Sequence, residues 1–302
     1  MKYVILTLCF VLHGLIGEAQ TEGLIESSGS KLYYRVYGKG TPLLIINGGP
    51  GMNSDGFVAL AMELSKHHQT IIYDQRGTGK SFLQPVNSST ITMDLMIQDM
   101  ENLRKYLHID KWIILGHSFG GMLGSYYATI HPLQIQSLIL SSSGGINIGL
   151  LDYVGKNINA RLTTAEQQAV AEWTKKISEG DTSYASRLKR GMALAPAYVY
   201  NRENVPVIAE RLTQGNSAIN NLVWDDLRKI KFDCAEKLSA ALFPVLIVQG
   251  KQDIVSAETA QQSHAAFKNS TLIFIDRCVH YGWLDNREKY FEAVNRFLEK
   301  NG

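Results

Sequence analysis

The stretch Ile113-Ile114-Leu115-Gly116-His117-Ser118-Phe119-Gly120-Gly121 decides how the rest of the chain is read. An apolar run ends in Gly-His-Ser-Phe-Gly, and Met122, Leu123, Tyr126 and Tyr127 follow at helical spacing. That order predicts a strand, a sharp turn and a helix, with Ser118 at the apex. A side chain two positions away on either side would collide with the neighbouring strand or helix, so glycine is needed there. The hydroxyl is then held out at the carboxyl end of a sheet, where backbone N–H groups and a helix N-terminus converge. A Gly-x-Ser-x-Gly string by itself carries little weight. Between a strand and a helix it predicts a nucleophilic serine, against the alternative of an ordinary Gly/Ser turn.

On the amino-terminal side, residues 42–47 (Pro-Leu-Leu-Ile-Ile-Asn) form a continuous apolar run, as a strand covered on both faces requires. It leads into Gly48-Gly49-Pro50-Gly51, a backbone that can approach a ligand closely with its N–H groups free. Before it, residues 31–37 alternate as a strand does; after it come a helical pattern over 55–66 and a buried strand over 70–73. Thr92 can cap a helix whose apolar stripe is Met93, Met96, Ile97, Met100, Leu103 and Leu107.

On the carboxyl side, residues 135–140 read as the next strand. Strand and helix alternate, which predicts parallel strands joined by right-handed crossovers. From 146 to 242 the rhythm becomes helical, without buried apolar strands, and this segment reads as an inserted lid. The alternation resumes with a strand over 244–249, a helix near 257–267, a strand over 271–275 and a helix over 287–298. The expected architecture is a mostly parallel central sheet flanked by helices. Its core falls in two parts, 20–145 and 243–302, around a helical cap at 146–242.

A serine hydroxyl is a poor nucleophile at neutral pH, so it needs a base, and the base needs an orienting acid. On a sheet of this kind the chain order is serine, acid, histidine. Asp253 follows the strand over 244–249 and His280 follows the strand over 271–275, so they are the expected acid and base. Asp253 as a helix cap is the competing reading, and His264 is the rival base, although it lies within a predicted helix. The oxyanion of an acyl-transfer intermediate needs preset donors. The N–H groups of Phe119 and Gly49 are expected to supply them. Gly48 to Gly51 fits neither a dinucleotide fingerprint nor a phosphate loop, and Gly79-Lys80-Ser81 lacks the upstream glycine, since position 74 is Asp. His117 reads as a turn-packing residue. No histidine pair has metal-ligand spacing with a third partner, so neither a metal nor a cofactor is expected.

The chain has 302 residues, 45% hydrophobic and 19% charged, with a formal net charge of +2. That balance points to no nucleic acid or anionic membrane partner. Residues 1–19 combine Lys2, an apolar run and the small residues Gly17 and Ala19. They read as a secretory signal cut after Ala19, with an uncleaved anchor as the alternative, and the rest holds no membrane-spanning stretch. Export is therefore expected. Cys234 and Cys278 remain in the mature chain, and the sequence leaves open whether they pair.

Gly48-Gly49-Pro50-Gly51, Asp74-Gln75-Arg76-Gly77-Thr78-Gly79-Lys80-Ser81 and Gly116-His117-Ser118-Phe119-Gly120-Gly121 resemble the proline iminopeptidase family of α/β hydrolases, in order and spacing across the mature chain. The resemblance implies an α/β-hydrolase fold and a serine peptidase that releases N-terminal proline from short peptides. It implies Ser118, Asp253 and His280 as the triad, with Gly49 and Phe119 as oxyanion donors. The family usually has His before Gly-Gly-Pro-Gly, where this chain has Asn47, and Gly before the catalytic histidine, where it has Val279. An aminopeptidase must bind a charged amine, and family members carry acids in the lid for it. Trp224-Asp225-Asp226 and Glu172 are the positions here that offer such groups. Solvated helix charges are the competing reading of those acids. An esterase or lactonase with the same triad, and a catalytically silent binding protein, are the alternative functions.

Overall fold

The computed structural model describes residues 21–302. The leader expected at 1–19 lies outside them. The first half runs β1 (Thr21–Ser27), β2 (Ser30–Tyr37), β3 (Pro42–Ile46), α1 (Val58–Leu64), β4 (Gln69–Tyr73), β5 (Phe82–Leu83), α2 (Met93–Tyr106), β6 (Trp112–His117), α3 (Phe119–Ile130) and β7 (Ile135–Ser141). Six helices follow: α4 (Val154–Ala160), α5 (Thr164–Ser178), α6 (Tyr184–Leu194), α7 (Val205–Leu212), α8 (Ser217–Lys229) and α9 (Ala235–Leu238). The sheet then resumes with β8 (Val245–Gly250), α10 (Ala257–Ala266), β9 (Ser270–Ile275), α11 (Gly282–Asp285) and α12 (Arg287–Asn301).

The strands form one sheet in the order β1-β2-β4-β3-β6-β7-β8-β9, with β5 on β2. From β4 onward the path is parallel, whereas β1, β2 and β4 pair antiparallel. The strand β1 and its hairpin with β2 were not expected from the sequence. Its pattern Thr-Glu-Gly-Leu-Ile-Glu-Ser is polar and broken by glycine, and its partnership alone makes it a strand. The central strands behave as doubly covered strands must: every residue of β6 and of β8 is buried. Each Leu or Ile removed from water there contributes about 2 kcal/mol, which is why these runs are apolar without alternation.

Thr92 caps α2 as expected, its hydroxyl accepting from the Leu95 N–H at 3.2 Å. The expected helix over 55–66 instead opens with a single 3-10 turn at Asp55–Phe57 before α1. Beneath the loop after β4, Arg76 makes two hydrogen bonds of 2.7 Å to Asp99, and both side chains are sealed from water. Asp74 ties the same loop down by accepting from the Ser54 N–H, the Ser54 hydroxyl and the Lys80 N–H at 2.7–2.8 Å. The Asp-Gln-Arg-Gly string is thus a scaffold of buried polar bonds under the sheet's carboxyl edge. The helical segment between β7 and β8 is closed at its neck by an Asn147–Asp233 bridge and by the Cys234 N–H on the Ile146 carbonyl at 2.8 Å.

Candidate active site

The chain leaves β3 toward β4 on one side and leaves β6 toward β7 on the other, so a crevice opens between the carboxyl ends of β3 and β6. Ile46 pairs in register with Gly116, which sets the loop after Ile46 against the elbow after Gly116. Ser118 adopts φ 54° and ψ −120°, a positive-φ conformation that costs a non-glycine residue energy. The surroundings over-determine it. Its N–H donates to the Ser141 carbonyl at 3.1 Å, and its carbonyl accepts from the N–H groups of Gly121 and Gly144 at 2.9 Å. A Cβ at Gly116 would come within 2.4 Å of the Gly120 carbonyl oxygen, and one at Gly120 within 2.2 Å of the Ile46 carbonyl oxygen. The backbone therefore tolerates only glycine at both flanks of the serine.

Asp253 and His280 come from the exits of β8 and β9, which run in parallel register up to Gly250 and Ile275. The two loops are stitched together. Gln252 donates its N–H to the Cys278 carbonyl at 3.0 Å and accepts the Cys278 N–H on its side chain at 3.1 Å. The result is a bond of 2.8 Å between His280 Nδ1 and Asp253 Oδ1, with Nε2 left for another partner. Asp253 also accepts from the Val255 N–H at 3.1 Å, a local turn that precedes the helix; Ser256 stands at the N-cap of α10, so the competing capping role does not fall to Asp253. The His280 N–H is held by the Tyr198 carbonyl at 3.1 Å, and the Val279 N–H by Asp285 at 2.9 Å. Val279 fills a buried apolar cluster with Ile254 and Val255, which accounts for a bulky residue beside the histidine. Tyr198 and Asp285 carried no local sequence signal of this role.

Ser118 and His280 open onto the same cavity, of 230 Å³, together with Gly49, Phe119, Tyr198 and Trp224. The Gly49 N–H donates to no other group among the described residues. A Cβ built on Gly48 would meet Ser118 Cβ at 2.7 Å, which measures how closely the glycine loop abuts the serine. His117 is buried among Phe57, His280, Tyr281 and Trp283, with its ring centroid 4.7 Å from that of His280. Burial, and then the nearby His280 and Arg211, hold its pKa well below the ordinary histidine value. It packs the turn as a neutral ring. A serine hydroxyl, an imidazole oriented by a carboxylate, and free backbone donors at one cavity are the groups that acyl transfer requires.

Three of the four lid positions expected to meet an amine stand elsewhere. Asp226 accepts the Met93 N–H at 2.8 Å and so caps α2. Asp225 is exposed and pairs with Arg228 at 2.9 Å; Glu172 is exposed and pairs with Lys176 at 2.6 Å. Trp224 does reach the cavity, edge-on to Phe119 with centroids 6.3 Å apart. Among the described residues lining the cavity there is no carboxylate, and Arg211 carries the permanent charge. His264 is exposed and bonds Ser270 through Nδ1 at 2.8 Å, away from the serine. Cys234 and Cys278 are free, buried thiols. Burial pushes the Cys234 thiol up to about 12, and the Cys278 thiol upward as well.

The model of the alpha/beta hydrolase fold family matches residues 41–287. The chain is 28% identical over 295 residues to the proline iminopeptidase of Clostridioides difficile strain 630, covering 93% of this chain and 99% of that one. It is 26% identical over 290 residues to the proline iminopeptidase of Heyndrickxia coagulans, covering 92% and 98%. Among solved structures, an alpha/beta fold family hydrolase from Bacillus anthracis strain Sterne superposes with a TM-score of 0.76 at 20% identity, over 92% of this chain and 99% of that one.

Proposed function

Because this chain belongs to the alpha/beta hydrolase fold family, we propose that it is an exported serine hydrolase that releases an N-terminal proline or another small residue from short peptides. The observation that carries the hydrolase reading is the shared cavity: Ser118 opens onto the space faced by a histidine whose Nδ1 is fixed at 2.8 Å by a sealed aspartate.

His280 takes the Ser118 proton as the oxygen attacks the substrate carbonyl carbon. The oxyanion of the tetrahedral intermediate is received by the N–H groups of Gly49 and Phe119. Asp253 holds the imidazole in the tautomer that accepts at Nε2 and stabilises the imidazolium that forms. His280 then gives the proton to the leaving amine, and water repeats the sequence to free the acid and restore the serine. The helices between β7 and β8 act as a lid: Tyr198, Arg211 and Trp224 cover the cavity from that side. The peptide reading is supported by the relatives' names and by a cavity small enough to select a short residue.

A second reading, hydrolysis of small esters or lactones by the same groups, is favoured by the acid-free cavity wall, since a charged amine has no lining carboxylate to meet. Proline, alanine and leucine anilides assayed beside short-chain nitrophenyl esters separate the two. Anilide cleavage supports the peptidase; ester cleavage with all three anilides inert replaces it with the esterase. A fluorophosphonate that labels the protein but not the Ser118→Ala variant supports the nucleophile, and failure to label leaves a silent binding protein. Amino-terminal sequencing of protein recovered from outside the cell, beginning at Gln20, supports export.

A further inference from the structure

Three carbonyls of the glycine loop are gripped by the helical segment between β7 and β8. Arg211 of α7 donates to the Gly48 carbonyl at 2.8 Å, Asn220 of α8 to the Pro50 carbonyl at 3.0 Å, and the Asn216 N–H to the Gly51 carbonyl at 3.0 Å. Arg211 is 3% exposed and its guanidinium lies 4.7 Å over the Phe57 ring. Its remaining bonds go to the Tyr281 hydroxyl at 3.3 Å and the Asn53 carbonyl at 3.5 Å. Among the described residues it has no carboxylate partner within 4.0 Å. A buried cation spent on carbonyls rather than on an acid needs a reason.

The peptide plane supplies one. The Gly48–Gly49 bond is trans, so the Gly48 carbonyl and the Gly49 N–H point in opposite directions from one rigid unit. A group that holds the carbonyl also aims the N–H. Glycine on both sides leaves this peptide easily rotated, and a flipped unit would present an oxygen to the oxyanion. Asn47 adds a second donor to the same carbonyl, Nδ2 at 3.1 Å. We propose that Arg211 is a positioning residue for acyl transfer: by holding the Gly48 carbonyl it keeps the Gly49 N–H facing the oxyanion above Ser118. This rests on the reading of Gly49 as an oxyanion donor. The hole is then set only while α7 is docked, so lid closure and assembly of the transition-state site are one event.

The test is kinetics on Arg211→Met and Arg211→Lys, using whichever anilide or ester the wild type turns over, with binding of a boronic acid that forms a tetrahedral adduct on Ser118. Losing one oxyanion donor outright costs on the order of 10^2- to 10^3-fold in kcat. Loosening its aim in Arg211→Met is expected to lower kcat about 10- to 100-fold with KM little changed, and to weaken the boronate in step. Arg211→Lys, which retains a cationic donor group on a single nitrogen, recovers part of both. A kcat within twofold of wild type, or a KM that rises while kcat holds, overturns the proposal. If Arg211→Met does not fold, the lysine variant decides alone: kcat and boronate affinity both at wild-type values with the other carbonyl donors intact sink it. Loss of activity in Ser118→Ala with full activity in Arg211→Met removes this proposal only. Activity retained by Ser118→Ala removes Ser118 as the nucleophile, and this proposal with it.

Discussion

Asp253 and His280 meet at 2.8 Å across two neighbouring strand exits, and their side chains are 0% and 4% exposed. The pair is sealed, so the carboxylate's effect on the ring is little screened by water. Replacing Asp253 by Asn keeps the shape but offers Nδ1 the wrong partner and favours the wrong tautomer. We expect kcat to fall on the order of 10^4-fold while the melting temperature changes little. Steady-state kinetics beside thermal unfolding checks this. Retention of a tenth of wild-type activity would remove Asp253 from the mechanism.

The Arg76–Asp99 pair is a stability device. Both groups are fully buried, and Ser27 adds a hydroxyl bond of 2.6 Å to the carboxylate. Arg76→Met or Asp99→Asn leaves one partner unmatched in the interior, which is expected to lower unfolding free energy by about 3–5 kcal/mol. The double variant should lose less than the sum of the singles, because the orphaned partner is removed as well. Denaturant titration of all four proteins measures the coupling; strict additivity would show that the two groups act separately.

His117 makes stability depend on pH with a defined sign. Its folded pKa lies well below the ordinary value, so below about pH 6.5 the unfolded chain binds a proton that the folded chain refuses. That contribution is complete above the unfolded pKa and is lost as pH falls beneath it. His117→Phe keeps an aromatic ring among Phe57, Tyr281 and Trp283 and has no proton to gain. Its melting temperature should decline less than that of the wild type between about pH 6.5 and 5. Parallel curves for the two proteins would contradict the assignment.

The acids of the helical segment between β7 and β8 separate structure from substrate binding. Asp226→Ala removes the bond to the Met93 N–H at the start of α2 and should cost about 0.5–2 kcal/mol. Its kcat/KM, measured well below the melting temperature, should stay within about twofold of wild type, as should that of Glu172→Ala and Asp225→Ala, whose surface pairs contribute little. A tenfold rise in KM in any of the three would return that residue to the substrate site.

What the sequence determined by itself was local. Glycines two positions either side of Ser118, apolar runs without alternation, and a serine–acid–histidine order are short-range constraints, each legible because a strand or a turn imposes it on consecutive residues. The α/β-hydrolase fold and the strand exits carrying Asp253 and His280 followed from them. The tertiary structure decided whatever depends on which faces meet. Trp224, Asp225 and Asp226 are consecutive on α8, yet roughly 100° of helical turn between neighbours sends them to the cavity, to solvent and to the start of α2. The phase of a helix against its neighbours is set by packing over the whole helical segment between β7 and β8. Arg211 reaches a carbonyl 163 positions away. Its grip on Gly48 exists only once α7 lies over the switch point between β3 and β6, a juxtaposition that no stretch of chain encodes locally.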